Sequence, residues 1–183
     1  VEEKTGWQAQ IAEPVSLIFN DCRLPAEKVL GEEGKAFSLG KELLPSRRIV
    51  RSARAVGAAV RLLDVATERA KSWENFGKVI STLPSVETAL ADIAIDIHAA
   101  RLMVYHAAGK ADEVEDIHQE AAMVKVFATE MLYRAAEKVG QIHGGPAPAR
   151  ELPLELLCQH LVARSGGQRA LEVQKAIVAS QLL

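Results

Sequence analysis

Residues 115–145 read EDIHQEAAMVKVFATEMLYRAAEKVGQIHGG, and their spacing decides the fold. Ile117, Ala121, Val124, Ala128, Met131, Ala135, Val139 and Ile142 recur at steps of four and three, the period of one buried face on an α-helix. The run ends in Gly144-Gly145, and glycine enters the left-handed conformation that terminates helices without steric penalty. At 1.5 Å per residue this predicts a helix of roughly 40 Å, which needs partners of matching length. The preceding sequence supplies two. Between Ser46 and Trp73, Ile49, Ala53, Val56, Val60 and Leu63 form one apolar stripe. After Pro84, a residue suited to a first helical turn, Val86, Leu90, Ile93, Ile97, Ala100, Val104 and Ala107 form another.

The composition fits stacked helices. The chain has 183 residues, 49% of them apolar but only 4% aromatic. Small aliphatic side chains let helices approach closely, which favours a bundle. A formal charge of −2 argues against a general nucleic-acid binder, which shows a strong basic excess. No apolar run reaches the 18 or so residues of a membrane span, and no signal peptide is visible. Cys22 and Cys158 make no disulfide framework and read as reduced thiols of an intracellular protein. The chain opens with Val1 inside what reads as folded sequence, so a piece of a longer protein is expected.

The first 35 residues differ from the rest. Val15 to Phe19 is a short β-prone run, with Trp7 to Ile11 a weaker one, before loop residues Leu24-Pro25, Gly31 and Gly34. Two short strands cannot bury a sheet face alone, so this arm is expected to belong to a sheet completed elsewhere. Ala36–Leu44 predicts a short helix stopped by Pro45. Ser72–Leu83 reads as a loop and Lys110–Val114 as a polar connection. Pro146 and Pro148 force an extended segment, Leu154–Ala163 reads as a moderate helix, and Ala170–Leu182 as the last one. The expected fold is mainly α: an antiparallel up-and-down four-helix bundle with a short N-terminal β arm. Domains are expected at 1–32 and 33–183.

Each chemical candidate stands beside a plainer reading. Arg47, Arg51, Arg54 and Arg61 share an arc opposite the apolar stripe. Guanidinium groups suit phosphate, but a solvated or subunit-facing basic face is the simpler account. Arg48 flanks the core near its helix start and is the better ligand candidate. His98, His106, His118 and His143 are too dispersed for a metal site and read as ordinary partly buried histidines. Glu115, Asp116 and Glu120 read as a helix start, where carboxylates favour the macrodipole. Gly144-Gly145 could expose N–H groups to an anion. They follow a helix C-terminus, however, where the dipole repels anions, so a helix cap is the default.

Taken in order, VSLIFNDCRLPAEKVLGEEGKAF, LLPSRRIVRSARAVGAA, ENFGK, AARLMVYHAA, AAMVKVFATE and QIHGG resemble the acyl-CoA dehydrogenase family over nearly the whole chain. The resemblance implies that residues 1–32 are the tail of a middle β-domain and 33–183 the C-terminal four-helix bundle. It also implies FAD as cofactor and an acyl-CoA substrate desaturated at its 2,3 bond, with a glutamate taking the α-proton. Gln141, Gly144 and Gly145 match the FAD-contacting QxxGG, and Phe76 and Gly77 the FG of an RxxFG loop that reaches FAD in a neighbouring subunit. Arg48 matches the arginine that ends LDxxR and touches the CoA moiety. The family's usual assembly implies a dimer of dimers, homo- or hetero-tetrameric, and a cytoplasmic location, or the mitochondrial matrix in a eukaryote.

The departures from that pattern carry their own expectations. The RxxFG arginine falls on Trp73 and the LDxxR aspartate on Pro45. The segment Gly167-Gln168-Arg169-Ala170-Leu171 aligns with the family's catalytic stretch, putting Gln168 at the base position and Ala170 at an FAD-contacting threonine. A glutamine amide has no useful basicity, and the position used by some relatives instead is Arg47. Gln168 therefore marks where a base would be. The alternative to a dehydrogenase part is a non-catalytic subunit or helical oligomerisation module paired with a competent partner. Alone, these 183 residues are expected to be inactive.

Overall fold

A computed structural model of the chain describes residues 2–3, 15–113, 116–144 and 167–183, with side chains over 17–113, 116–144 and 171–183. It divides into two compact units, 1–44 and 45–183. In the first, β1 (Glu2–Glu3) pairs antiparallel with β2 (Val15–Ser16), Glu2 opposite Ser16. The predicted strand through Phe19 is shortened: β1 offers a ladder of two residues only, and Leu17, Ile18 and Phe19 run on exposed beyond it. The expected strand at Trp7–Ile11 lies outside the described residues. A short helix, α1 (Ala36–Glu42), follows. Leu24, Leu30 and Phe37 are also exposed, so this unit has no apolar centre of its own among the described residues.

The second unit is helical. It contains α2 (Leu44–Ser72, from Pro45 onward), a two-stranded hairpin of β3 (Glu74–Asn75) and β4 (Lys78–Val79), α3 (Pro84–Glu113), α4 (His118–His143) and α5 (Gly167–Ser180). Three ion pairs fix the register of α3 on α4: Asp92 with Lys138 at 2.5 Å, Asp96 with Arg134 at 2.9 Å, and Glu120 with Lys110. The partner number falls along α4 as it rises along α3, which is an antiparallel pair. On the other side of α4, Leu171 lies near Tyr133 and Arg134, Lys175 pairs with Glu130 at 2.7 Å, and Leu182 lies near Met123. So α5 is antiparallel to α4 too. Arg51, early in α2, acts electrostatically on Lys125, early in α4, so these two helices start at the same end. The result is an up-down-up-down bundle.

Its core follows the stripes read from sequence, with one rotation. Ala121, Val124, Ala128, Met131, Ala135 and Val139 on α4, and Ile93, Ile97, Ala100, Val104 and Ala107 on α3, are all buried in one cluster. Helix α4 also buries Ala122, Lys125, Thr129 and Leu132, because helices cover it on more than one side. On α2 the buried line is Ile49, Ser52, Ala55, Val56, Ala59, Leu62, Ala66 and Ala70. The expected Ala53 is exposed, and Val60 and Leu63 sit at the margin. Ser52 is tolerated in the buried line because its hydroxyl donates to the Arg48 carbonyl at 2.8 Å.

Three boundaries move. Helix α3 continues through Lys110, whose ammonium reaches Glu120. Helix α4 starts at His118, where the Asp116 carboxylate just outside the helix accepts the His118 N–H at 3.1 Å. Helix α5 starts at Gly167 rather than Ala170. The expected helix at Leu154–Ala163 lies outside the described residues. Among the described residues no helix is long and apolar enough to cross a membrane.

Candidate functional site

The expected loop at Ser72–Leu83 is instead a hairpin with Phe76 and Gly77 as its two turn residues. Glu74 pairs with Val79 and Asn75 with Lys78. Just outside, the Ile80 N–H donates to the Trp73 carbonyl at 2.9 Å and closes the base. A two-residue hairpin that matches strand twist requires positive φ at both turn positions, and here φ is 51° at Phe76 and 77° at Gly77. Glycine adopts this freely; a bulky phenylalanine does so at a cost. Phe76 is also 98% exposed, so this unit packs nothing against the ring that would offset its strain.

One turn before the hairpin, the Arg69 guanidinium lies 3.5 Å from the centroid of the Trp73 ring. Arg69 Nε is buried without a hydrogen-bond partner among the described residues, and Trp73 remains half-exposed. At the end of α4, the nearby Gly144 takes φ 66° and donates its N–H to the Gly140 carbonyl at 3.1 Å, as a helix cap does. Among the described residues no atom lies within 4 Å of where a Cβ would sit on Gly77 or Gly144. Gln141 is exposed; His143 is buried, with Nδ1–H donating to the Val139 carbonyl at 2.9 Å. That is the satisfied core histidine the sequence favoured. Gly145 lies outside the described residues.

Because α2 and α4 run the same way, Trp73, Phe76, Gly77, Gln141 and Gly144 all belong to one end of the bundle. Arg48 belongs to the other. Its Nη1 is buried without a partner among the described residues, and burial pulls its guanidinium below the usual arginine range. Arg47, Arg51, Arg54 and Arg61 are exposed, as a solvated face would be. Lys125, missed from sequence, is 5% exposed on the α4 face that looks toward Arg51. Burial first, then the Arg51 charge, lowers its ammonium to about 8. Its signal was visible: position 125 lies between Ala121, Val124 and Ala128 on the apolar arc.

Gln168 falls in the first turn of α5, a turn before Leu171 against the C-terminal half of α4, so the structure does not bring it to Arg48. Ala170 lies in the same turn. Cys22 is a free, exposed thiol, and Cys158 lies outside the described residues. No group of three or more potential metal ligands occurs among the described residues. The residues at the hairpin end suit a group with an anionic and an aromatic part. An exposed aromatic ring, a stacked guanidinium and two glycines with positive φ belong to that end.

The comparisons with known proteins agree with this geometry. The sequence family described as the acyl-CoA dehydrogenase C-terminal domain matches residues 35–183. The mitochondrial short-chain specific acyl-CoA dehydrogenase of Rattus norvegicus is 32% identical over 182 residues, covering the whole of this chain and 44% of that protein. The structure of butyryl-CoA dehydrogenase from Megasphaera elsdenii superposes with a TM-score of 0.83 at 33% identity, over 90% of this chain and 43% of that one. An FAD complex of PigA superposes with a TM-score of 0.79 at 30% identity, over 90% and 43%. This chain thus spans less than half the length of the relatives it matches. With a family model matching residues 35–183 and the fold superposing on solved members, the chain belongs to the acyl-CoA dehydrogenase family.

Proposed function

We propose that the chain is the C-terminal part of an FAD-dependent acyl-CoA dehydrogenase-like oxidoreductase, which desaturates an acyl-CoA thioester at its 2,3 bond. Residues 1–32 are then the tail of a β-domain, and 33–183 the bundle domain. The observation that carries the reading is Phe76: a strained aromatic, fully exposed at a hairpin tip, is an expensive feature without a ligand or partner to receive it. Gln141, Gly144 and Gly145 contact FAD, Phe76 and Gly77 reach the FAD of a neighbouring subunit, and Arg48 at the opposite end takes the CoA moiety. An orphaned, partly desolvated guanidinium suits an anionic or carbonyl acceptor there. When bound, FAD supplies the hydride acceptor. The assembly is a homo- or hetero-tetramer built through the bundle, and the location is cytoplasmic, or the mitochondrial matrix in a eukaryote.

Neither position aligned with a family base carries one. Gln168 cannot accept an α-proton at neutral pH, and Arg47 excludes the alternative position. That observation favours a second reading, in which the protein is a non-catalytic subunit paired with a competent partner. Flavin absorbance and dye-linked acyl-CoA oxidation, measured on the full-length protein with and without Gln168→Glu, test both. Stoichiometric FAD with turnover gained only in Q168E supports a flavoprotein lacking its base. Turnover by the unaltered protein alone rejects the non-catalytic reading, and absence of flavin rejects the first.

A further inference from the structure

We infer that Arg69, held flat on Trp73, supplies the cationic contact to the FAD pyrophosphate that Trp73 cannot make. The inference rests on the FAD-binding reading above. The hairpin end of the bundle carries the C-termini of α2 and α4 and the N-termini of α3 and α5, so the opposed helix dipoles largely cancel and leave a pyrophosphate's charge to a side-chain cation. Trp73 stands where an arginine is expected and carries no charge. Arg69, one helical turn earlier on the same face, places its guanidinium 3.5 Å over the Trp73 ring.

A stacked guanidinium is attracted through its face and keeps its N–H groups in the plane, directed outward. That arrangement fixes the fork in advance for a bidentate phosphate contact. Arg69 Nε is itself buried with no acceptor among the described residues, so the contact falls to the Nη groups. The other cations with described side chains at this end are less suited. Lys78 and Lys71 are exposed and free to swing, His143 is committed to the Val139 carbonyl, and Lys138 to Asp92. The tryptophan thereby becomes a platform as well as a replacement, its ring half-exposed.

The test measures FAD affinity of the full-length protein by quenching of flavin fluorescence, across a series of ionic strengths. Arg69→Ala is expected to weaken binding by about ten- to a hundredfold, as for loss of one or two charge-assisted hydrogen bonds, with a shallower salt dependence. The double variant Arg69→Ala/Trp73→Arg is expected to recover most of that affinity, because it returns the cation to position 73. Arg69→Gln serves if Arg69→Ala does not fold, and circular dichroism reports on folding. Wild-type binding with R69A unchanged, or with the loss appearing in Lys78→Ala instead, overturns the inference and leaves the FAD reading standing. No FAD binding by the wild type overturns both.

Discussion

Replacing Lys125 by methionine should stabilise this protein, and the pH dependence of the gain should identify its cause. The ammonium is buried in α4 with Arg51 as its charged neighbour, and burial brings it from 10.5 to about 8. The unfolded chain holds that proton to about pH 10.4. Below pH 8 both states are charged, so the whole penalty of burying the charge is present. Between about 8 and 10.5 the unfolded chain binds the extra proton, and stability attributable to this group rises with pH. At about 1.4 kcal/mol per tenfold change in proton affinity, the penalty at pH 7 is roughly 3 kcal/mol. Methionine keeps the long unbranched stem and removes the charge. Lys125→Met should therefore gain up to about 3 kcal/mol at pH 7, or roughly 6–12 °C in Tm for a chain of this size. Urea and thermal unfolding of both proteins from pH 6 to 10.5 measure it. The difference between the two curves is the relevant quantity, since every other group is common to both proteins. A variant less stable at pH 7, or a gain that does not shrink toward pH 10.5, would show that the ammonium is neutralised by a partner and refute the reasoning.

Three further outcomes follow from particular contacts. Ala66→Leu adds bulk where α2 is fully buried, and should cost about 1–3 kcal/mol by overpacking, read from the urea midpoint. Asp92→Asn breaks the pair with Lys138, both groups being partly exposed, so it should cost less than about 1 kcal/mol and less still in high salt. Phe76→Gly removes a side chain from a left-handed position and should raise stability by about 1 kcal/mol. The same substitution should weaken FAD binding by the full-length protein, a trade between stability and function visible when unfolding and flavin titration are run on one sample.

The four-and-three spacing on α4 and the run from Leu90 to Ala107 on α3 were legible in sequence because a helix buries one face, whatever its neighbours. The same holds for the terminators: Pro45 and Pro84 near helix starts, and Gly144 at an end, act through local backbone geometry. Sequence also placed Phe76-Gly77 and Gln141 as site residues, but only through likeness to a family. Their strain and exposure belong to the structure. What the tertiary structure alone decided was anything set by a neighbour. The buried line of α2 rotates onto Ser52, Ala59 and Ala66 because its neighbours decide which face is covered, which a hydrophobicity pattern does not rank. The hairpin at Glu74–Val79 was invisible because a Phe in the left-handed region has no propensity signal. Lys125 sat on the apolar arc in the sequence, but that its charge is buried without a carboxylate partner among the described residues was decided by the packing, and Arg69 acquired a role only when its guanidinium was found on the ring of Trp73. Periodicity is a property of one helix; burial of a charge and stacking of a cation are properties of two groups brought together.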